Sequence, residues 1–509
     1  MAKASLLLVV WGTLTAVLSV QSFSITAPST HNAMRPRRAV SLHMTKTPDA
    51  ATHKPRKIVI VGGGIGGLSS AYDARHLLPT DEITVISARE SFEFTPSNPW
   101  VAVGKRRPED IRLSLSKILP KHKIKFVHDR VAKLKPGVQQ LQLSNGTFCD
   151  YDFLIIATGP RLAFDEVPGA GPDHHSVSIC STSHAIMALE AFEMLVENPG
   201  PVVVGALQGA SCFGPAYEYA MLLRYELERR GGKVLADQCP ITFVTPEPYI
   251  GHLGLQGAGD SKTILSELMQ KRNIKWIPNC SVDKIRGDAV QVSYLEQDIN
   301  VNDEGASKDT TTFSTKKKTL PSKLTMVIPP FRGPEVWSSV PGLTDETGLI
   351  LVDEHQQSNK YPTIFGVGVC VSIPPVETTI VPTGPPKTGY MIESMGTAAV
   401  KNIKSMIQQQ DNVFVKDATK IDNKMIELHY QAVMHGLCIT DFGDDGAVFI
   451  SLPQMPPRRT DLTIHGKLIT LAKVAFEKYF LHKIESGDTD PVYEKYMLHL
   501  VGVERTLVE

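Results

Sequence analysis

The sequence predicts an α/β protein built on two strand–glycine–helix units, and three observations carry that prediction. An apolar run, Lys57 to Val61, leads into Gly62-Gly63-Gly64-Ile65-Gly66-Gly67 and then into a helix that ends before Pro79. A second unit of the same kind opens at Pro201 to Gly205. Two further strand-like runs end in glycine: Tyr151 to Ala157 at Thr158-Gly159, and Ile364 to Val369 across Gly366 and Gly368. Ile83 to Ser87 and Leu324 to Ile328 add β-like sequence, and no internal repeat is visible beyond the two units.

Composition bounds the function. A chain of 509 residues has room for about three domains. Lys+Arg and Asp+Glu are equal at 53 each. Five of the basic residues (Lys3, Arg35, Arg37, Arg38, Lys46) precede Asp49, so the rest of the chain carries 53 − 5 = 48 basic against 53 acidic residues. That mildly acidic body argues against nucleic acid as a partner. A 42% hydrophobic content supports buried cores. The seven cysteines include no CxxC pair, so neither a disulfide scaffold nor a zinc site is expected.

Residues 1–22 read as a signal peptide: Lys3, then an apolar run from Leu6 to Val20, then Val20-Gln21-Ser22 as a small-residue cleavage pattern. Residues 23–48, rich in Ser, Thr and Arg and free of acids, have transit-peptide composition. Together they resemble the bipartite presequence of algae with secondary plastids; a mitochondrial address or simple secretion is the alternative. No later segment reaches the length needed to span a bilayer as a helix.

The first glycine cluster is a full GxGxxG at Gly62, Gly64 and Gly67, in the strand-to-helix context of a Rossmann-like unit. Its glycines permit the tight turn, the approach of a pyrophosphate and close helix–strand packing, while the helix start offers N–H groups to phosphate. The acid expected after the second strand is missing; Ser87-Ala88-Arg89-Glu90 stands there, so Ser87 or Glu90 meets the adenosine ribose. Leu154 to Gly159 resembles the second fingerprint of two-dinucleotide flavoproteins, which implies FAD in the first domain. In the third fingerprint Val369 replaces the usual acid and Cys370 follows it. The second unit reads Gly205-Ala-Leu-Gln-Gly209-Ala-Ser-Cys212. Leu207 takes the central glycine's place, where its side chain would block a pyrophosphate. Cys212 lies near a helix start, where a thiol's pKa is lowered.

These cysteine contexts carry a family resemblance. Cys212-Phe-Gly-Pro-Ala-Tyr-Glu218 and Cys370-Val-Ser-Ile-Pro374-Pro-Val-Glu377, running on through Lys387-Thr-Gly389-Tyr390, are similar to the motifs of bacterial-type sulfide:quinone oxidoreductases. Thr95-Pro-Ser-Asn98-Pro-Trp100, Ser178-Ile-Cys180 and Tyr249-Ile-Gly-His252 agree. The resemblance covers about Lys57 to Val503. It implies that Cys212, Cys370 and Cys180 are catalytic. It also implies that FAD is held by Gly62, Gly64, Ile65, Gly66, Gly67, Ser87, Ala88, Thr95, Thr158, Gly159, Gly368 and Lys387. His252 and Tyr390 are candidates for contact with quinone or sulfide, His252 being equally readable as a structural histidine. Cys149, Cys239, Cys280 and Cys438 read as small core or surface residues.

The implied reaction is attack of sulfide on a disulfide or polysulfide bridge between Cys212 and Cys370. Electrons then pass through FAD to a membrane quinone, and sulfane sulfur or polysulfide is released. A type II NADH:quinone reductase is the runner-up, opposed by Leu207 and the cysteine pair. A non-catalytic redox-sensing flavoprotein and a flavocytochrome-type sulfide dehydrogenase are further options. The helix expected over His465 to Ile484, with Leu468, Leu471, Ala472, Ala475 and Tyr479 on one side and four lysines, reads as an interfacial membrane helix, as does a short piece from Tyr493 to Val503. An ordinary docked helix is the alternative. The expected domains are 57–168 with 330–405 for FAD, 169–329 around Cys212, and 406–509 for the membrane surface. The hydrophilic stretch Glu296 to Thr319 reads as a solvated loop or hairpin tip. The partners implied are sulfide, a quinone, a lipid surface and, as an option, further copies of the chain.

Overall fold

The computed structural model describes residues 55–298, 312–416, 427–489 and 506–508. The two leader segments and the piece from Tyr493 to Val503 lie outside these residues.

The apolar run at the start becomes strand β1 (Lys57–Val61), and the glycine turn feeds helix α1 (Ile65–Leu77). Strands β2 (Glu82–Ser87), β3 (Lys125–His128) and β4 (Phe153–Ile156) follow. After helix α2 (Thr182–Glu197) the second unit gives β5 (Val202–Ala206), α3 (Gly214–Gln238), β6 (Ile241–Val244) and β7 (Lys275–Ile277). Then come β8 (Leu324–Ile328), β9 (Ile364–Gly366) and helix α4 (Gly389–Lys416).

Two parallel sheets result. The first has the order β9-β4-β1-β2-β3 and the second β7-β6-β5-β8. Their central strands are buried on both faces, as uninterrupted Val and Ile runs require of parallel sheets. Helices α1 and α4 pack closely against each other: a Cβ on Gly396 would lie 2.7 Å from the Ser70 hydroxyl, which only glycine avoids. Each fully buried Leu, Ile or Phe contributes about 1.5–3 kcal/mol to this core.

The hydrophilic stretch is a hairpin arm, longer in strand than expected. Ala289–Asp298 pairs antiparallel with Thr312–Pro321, from Ala289 opposite Pro321 to Asp298 opposite Thr312. Helix α4 passes unbroken through residue 405, so the boundary expected there falls inside one element.

The C-terminal part is an antiparallel sheet of β10 (Gly436–Asp441), β11 (Gly446–Leu452) and β12 (Thr460–His465), followed by helix α5 (Leu468–Ser486). His465 therefore ends a strand and does not begin the helix. Gly466, at φ 153°, makes the break.

Helix α5 also departs from an interfacial helix, whose lysines would all face outward. Lys473 and Lys483 are buried, the first in an ion pair with Glu218 of α3, the second 2.7 Å from Glu393 of α4. Glu477 is likewise buried, 2.9 Å from Arg106, and Phe480 stacks on Phe92. Ala472 and Ala475 face the core; Leu468 and Leu471 remain more than half exposed, at 54% and 53%. The expected face is thus split, because the buried side of this helix is charged and paired as well as apolar.

Among the described residues no helix is long and apolar enough to cross a membrane.

Candidate functional site

The three glycine-bearing strand ends meet. Val61 of β1 pairs with Ile86 of β2 and Ile156 of β4, and Ile156 pairs with Gly366 of β9. All four strands are parallel, so their carboxyl ends and the turns that follow share one edge, where open α/β sheets bind ligands.

The glycines divide the work there. A Cβ on Gly62, at φ 127°, would lie 2.1 Å from the Ala157 carbonyl oxygen, and one on Gly67 would lie 1.9 Å from that of Gly62. Both positions are closed to any side chain by backbone. Gly66 sits beside Val367 and Ile392. By contrast, Cβ atoms on Gly64 and on Gly159 (φ 71°) would meet nothing within 4 Å. These two glycines face open space at the start of α1 and the end of β4, a cradle of the kind a dinucleotide pyrophosphate fills. Ile65 opens α1, and Gly389, at the start of α4, lies beside it: a Cβ on Gly389 would be 3.9 Å from the Ile65 side chain. Two helix N-termini therefore converge on the cradle and favour negative charge in it.

Ser87 ends β2 next to Gly63, and its hydroxyl accepts the Arg89 amide at 3.1 Å; Ala88 and Glu90 are exposed beside it. Thr158 accepts a hydrogen bond from the Trp337 indole at 3.2 Å. Thr95 is exposed at the start of a short 3-10 turn. Gly368, at φ 86°, opens the turn that carries Cys370.

Cys370 is fully buried, its thiol donating weakly to the carbonyls of Val367 (3.4 Å) and Ile156 (3.5 Å). Lys387 holds this turn from both sides, donating to the Val369 carbonyl at 3.1 Å and the Val371 carbonyl at 2.5 Å. Burial brings the Lys387 ammonium down to about 8, partly offset by Cys370 and Asp345. Burial also pushes the Cys370 thiol up, against the pull of Lys387.

Cys212 lies in the turn before α3, and its thiol is raised, not lowered as its place near a helix start predicts. Burial is the main cause, and the thiols of Cys438 and Cys180 add to it. Cys180 is half-buried just before α2; burial pushes it up to about 11. Asn98 fixes that stretch, donating to the Ile179 carbonyl at 3.0 Å and accepting from the Thr182 hydroxyl at 3.2 Å. All seven cysteines are free thiols.

The turn that leads to Cys212 is tied to the segment that follows Cys370. The Gly209 amide donates to the Pro382 carbonyl at 2.6 Å, and the Gly384 amide donates to the Ala210 carbonyl at 2.8 Å. The segment after Cys370 thus lies as a strap across the second glycine turn. Leu207 has a different part from the one expected. It points down into the core beside Val203, Val244 and Val282, and it is the strap that covers the turn.

His252 fastens the same strap. Its Nδ1 accepts the Gly254 amide at 3.1 Å, so Nε2 carries the proton and donates to Glu377 at 2.5 Å. Gln256 donates to the other Glu377 oxygen at 2.8 Å. Burial lowers the His252 pKa, although Glu377 opposes it, which fits a neutral ring. Tyr390, on the first turn of α4, stacks on His435 with ring centroids 6.3 Å apart and packs beside Ile450 and Leu452.

Of the four cysteines read as bland, Cys239 and Cys280 are buried core residues and Cys149 is half-buried on a strand. Cys438 is different. It sits on β10 against the start of α3, in electrostatic reach of Cys212. Sequence reading also missed Glu218, Glu377 and Lys473, whose partners lie 255, 125 and 255 positions away.

Residues 56–207 match the pyridine nucleotide-disulphide oxidoreductase family. The chain is similar to the sulfide-quinone reductase of Aquifex aeolicus, 39% identical over 447 residues, covering 87% of this chain and 95% of that protein. The crystal structure of the sulfide:quinone oxidoreductase from Aquifex aeolicus superposes with a TM-score of 0.77 at 38% identity, covering 89% of this chain and 97% of the other. The mitochondrial sulfide:quinone oxidoreductase of Mus musculus is 25% identical over 335 residues, 63% of this chain and 67% of that protein.

Proposed function

Starting from the fact that this chain belongs to the sulfide:quinone oxidoreductase family, we propose that Cys212 and Cys370 carry the sulfur chemistry and that the open cradle at Gly64 and Gly159 holds the cofactor. The chain is a FAD-dependent oxidoreductase that oxidises sulfide and reduces a quinone. Bound FAD supplies the two-electron acceptor between the thiols and the quinone.

The protein's own groups set up that exchange. Gly62 and Gly67 close the turn by backbone contact, Gly66 packs beside Val367 and Ile392, and Gly64, Ile65 and Gly159 leave room for phosphate. Ser87, with Ala88, borders the adenosine end, and Thr95, Thr158, Gly368 and Lys387 border the flavin end. Lys387 presents a cation to Cys370 and fixes the carbonyls on either side of it, which favours the thiolate in a buried place. Sulfide attacks sulfur bridged between Cys212 and Cys370 and leaves a persulfide on Cys212. Cys180 receives product sulfur on its way out. The domain assignment follows: 57–168 with the segment from 330 through helix α4 for FAD, and 169–329 for the Cys212 side.

Two coarser features complete the reading. The exposed leucines of α5, Leu468 and Leu471, with Leu437 of β10, support association with a membrane surface where a quinone is delivered. His252 positions the strap, and Tyr390 with His435 borders the quinone path. Residues 1–48 direct the chain to a plastid through signal and transit segments, with a mitochondrial inner membrane as the second destination.

The observation that carries the reading is the strap. It runs from the Cys370 turn, which its Lys387 holds, to the Cys212 turn, and it covers the second glycine turn, which is what a sulfide enzyme needs and an NADH enzyme does not. The test is anaerobic titration of the FAD-loaded protein. Sulfide is expected to bleach the flavin and NADH to leave it oxidised. Cys212→Ser and Cys370→Ser are each expected to retain FAD and lose reduction by sulfide. Reduction by NADH at a rate equal to that with sulfide would overturn the reading.

A further inference from the structure

Cys438 occupies a place that core packing alone does not explain. It lies on β10, paired across the sheet with Phe449, and its sulfur would be 3.1 Å from a Cβ on Gly214. Gly214 is the first residue of α3, two positions after Cys212. The absence of a side chain there leaves the thiol of Cys438 against the turn that carries Cys212. Cys180 arrives at the same compartment from the start of α2, held by Asn98. Three elements distant in sequence thus bring three thiols together, on residues that are each half-buried. Cys438 is the first group, after burial itself, that acts on the Cys212 thiol, and Cys180 the second. Beside Cys438 runs the buried Glu218–Lys473 ion pair, whose two charges act on it in opposite senses.

We propose that Cys438 is a further sulfur-handling thiol of this site, which takes sulfane sulfur from a persulfide on Cys212 and holds it as its own persulfide. This rests on the function proposed above, since the persulfide on Cys212 is a product of sulfide oxidation. The transfer needs no outside oxidant. The Cys438 sulfur attacks the outer sulfur of the Cys212 persulfide, a new S–S bond forms at Cys438, and the S–S bond at Cys212 breaks. The proton of the Cys438 thiol ends on the Cys212 sulfur, so Cys438–SH plus Cys212–S–S⁻ becomes Cys438–S–S⁻ plus Cys212–SH. Burial pushes the Cys438 thiol up to about 11, so it rests protonated, which suits a receiver that waits for sulfur rather than attacking flavin or quinone. Clearing Cys212 in this way readies it for the next sulfide while the first sulfur is still inside.

The test uses the full chain loaded with FAD. The wild-type protein is turned over anaerobically with sulfide and a short-chain quinone, then quenched with an alkylating reagent and mapped by peptide mass. The peptide carrying Cys438 is expected to be heavier by one sulfur atom, and to lose that mass in Cys212→Ser. Cys438→Ser and Cys438→Ala are expected to slow steady turnover with sulfide by about ten-fold. Cyanide, which strips sulfane sulfur from a persulfide, is expected to restore most of that loss. A packing role would give slow turnover that cyanide does not rescue. An unmodified Cys438 in wild-type protein whose flavin is bleached by sulfide would overturn the proposal and leave the proposed function standing. A wild-type flavin that sulfide does not bleach would overturn both.

Discussion

The Gly209 amide and the Pro382 carbonyl are joined by a 2.6 Å hydrogen bond, and that bond closes the place where a second dinucleotide would approach. In a working nicotinamide site this amide faces phosphate. Here it is already satisfied from within the chain. Replacing Leu207 with glycine is therefore expected not to restore use of NADH, because the side chain at 207 is in the core and the strap stays in place. Stopped-flow reduction of Leu207→Gly by NADH checks this. The same variant is expected to lose about 2–5 kcal/mol of stability in urea, from the cavity it leaves.

Lys387 gives a pH signature. Its ammonium is brought down to about 8 from 10.5, so above pH 8 the folded protein holds a neutral amine beside Cys370. Flavin reduction by sulfide is expected to show an ionisation near pH 8 on its falling limb. Lys387→Met is expected to be slow and to lack that limb; an arginine at 387 is expected to keep the rate better and also lack it. Stability has its own sign. Between pH 8 and 10.5 the unfolded chain binds the proton that the folded chain has released. Stability of the wild type relative to Lys387→Met is therefore expected to rise with pH across that window, by at most about 1.4 kcal/mol per pH unit.

The clasp at His252 predicts a structural defect without a pH signature. His252→Ala leaves the buried Gly254 amide without its acceptor and leaves Glu377 held by Gln256 alone, at a cost of about 1–3 kcal/mol. Its ring is neutral in the fold, so the low-pH limb of the wild-type rate profile is expected to persist unchanged in shape. A shift of that limb in His252→Ala, measured by flavin reduction from pH 5 to 8, would assign the histidine a proton-handling part.

Lys473 and Glu218 form a pair that depends on both members. Lys473→Met strands a carboxyl in the core and is expected to cost about 3–5 kcal/mol. Adding Glu218→Leu is expected to recover most of it, as read by thermal unfolding of the FAD-loaded protein. The exposed end of the same helix behaves differently. Leu468→Asp with Leu471→Asp is expected to leave thermal stability within about 0.5 kcal/mol of wild type, since neither side chain is buried. It is expected to reduce flotation with anionic liposomes.

Much of this was legible in the sequence because the signals are local. The strands Lys57–Val61 and Leu324–Ile328 fall where the apolar runs place them, and the glycines announce a turn whose backbone contacts allow nothing larger. Cys212, Cys370 and Cys180 stand out by their motifs. Cys438 does not, because a cysteine on an alternating strand carries no mark of which distant helix it will face. Leu207 was read as an obstacle on the assumption that its side chain points at the ligand, whereas strand geometry turns it into the sheet's other layer. The lysines of α5 misled for a related reason. A residue count along a helix finds two faces but cannot tell which one is buried when the buried face carries Lys473, Glu477 and Lys483 with partners on other elements.

Those partners also set an order of events. Glu218 and Lys473 stand 255 positions apart, and Glu393 waits for Lys483 in the same way. A ribosome will have released the helices bearing both carboxylates before it makes α5, so the carboxylates wait for these two lysines until α5 emerges. The compartment around Cys212 and Cys438 therefore cannot close on the nascent chain. It is completed when α5 docks, so the chemistry of Cys212 waits on a helix that contributes none of the three thiols.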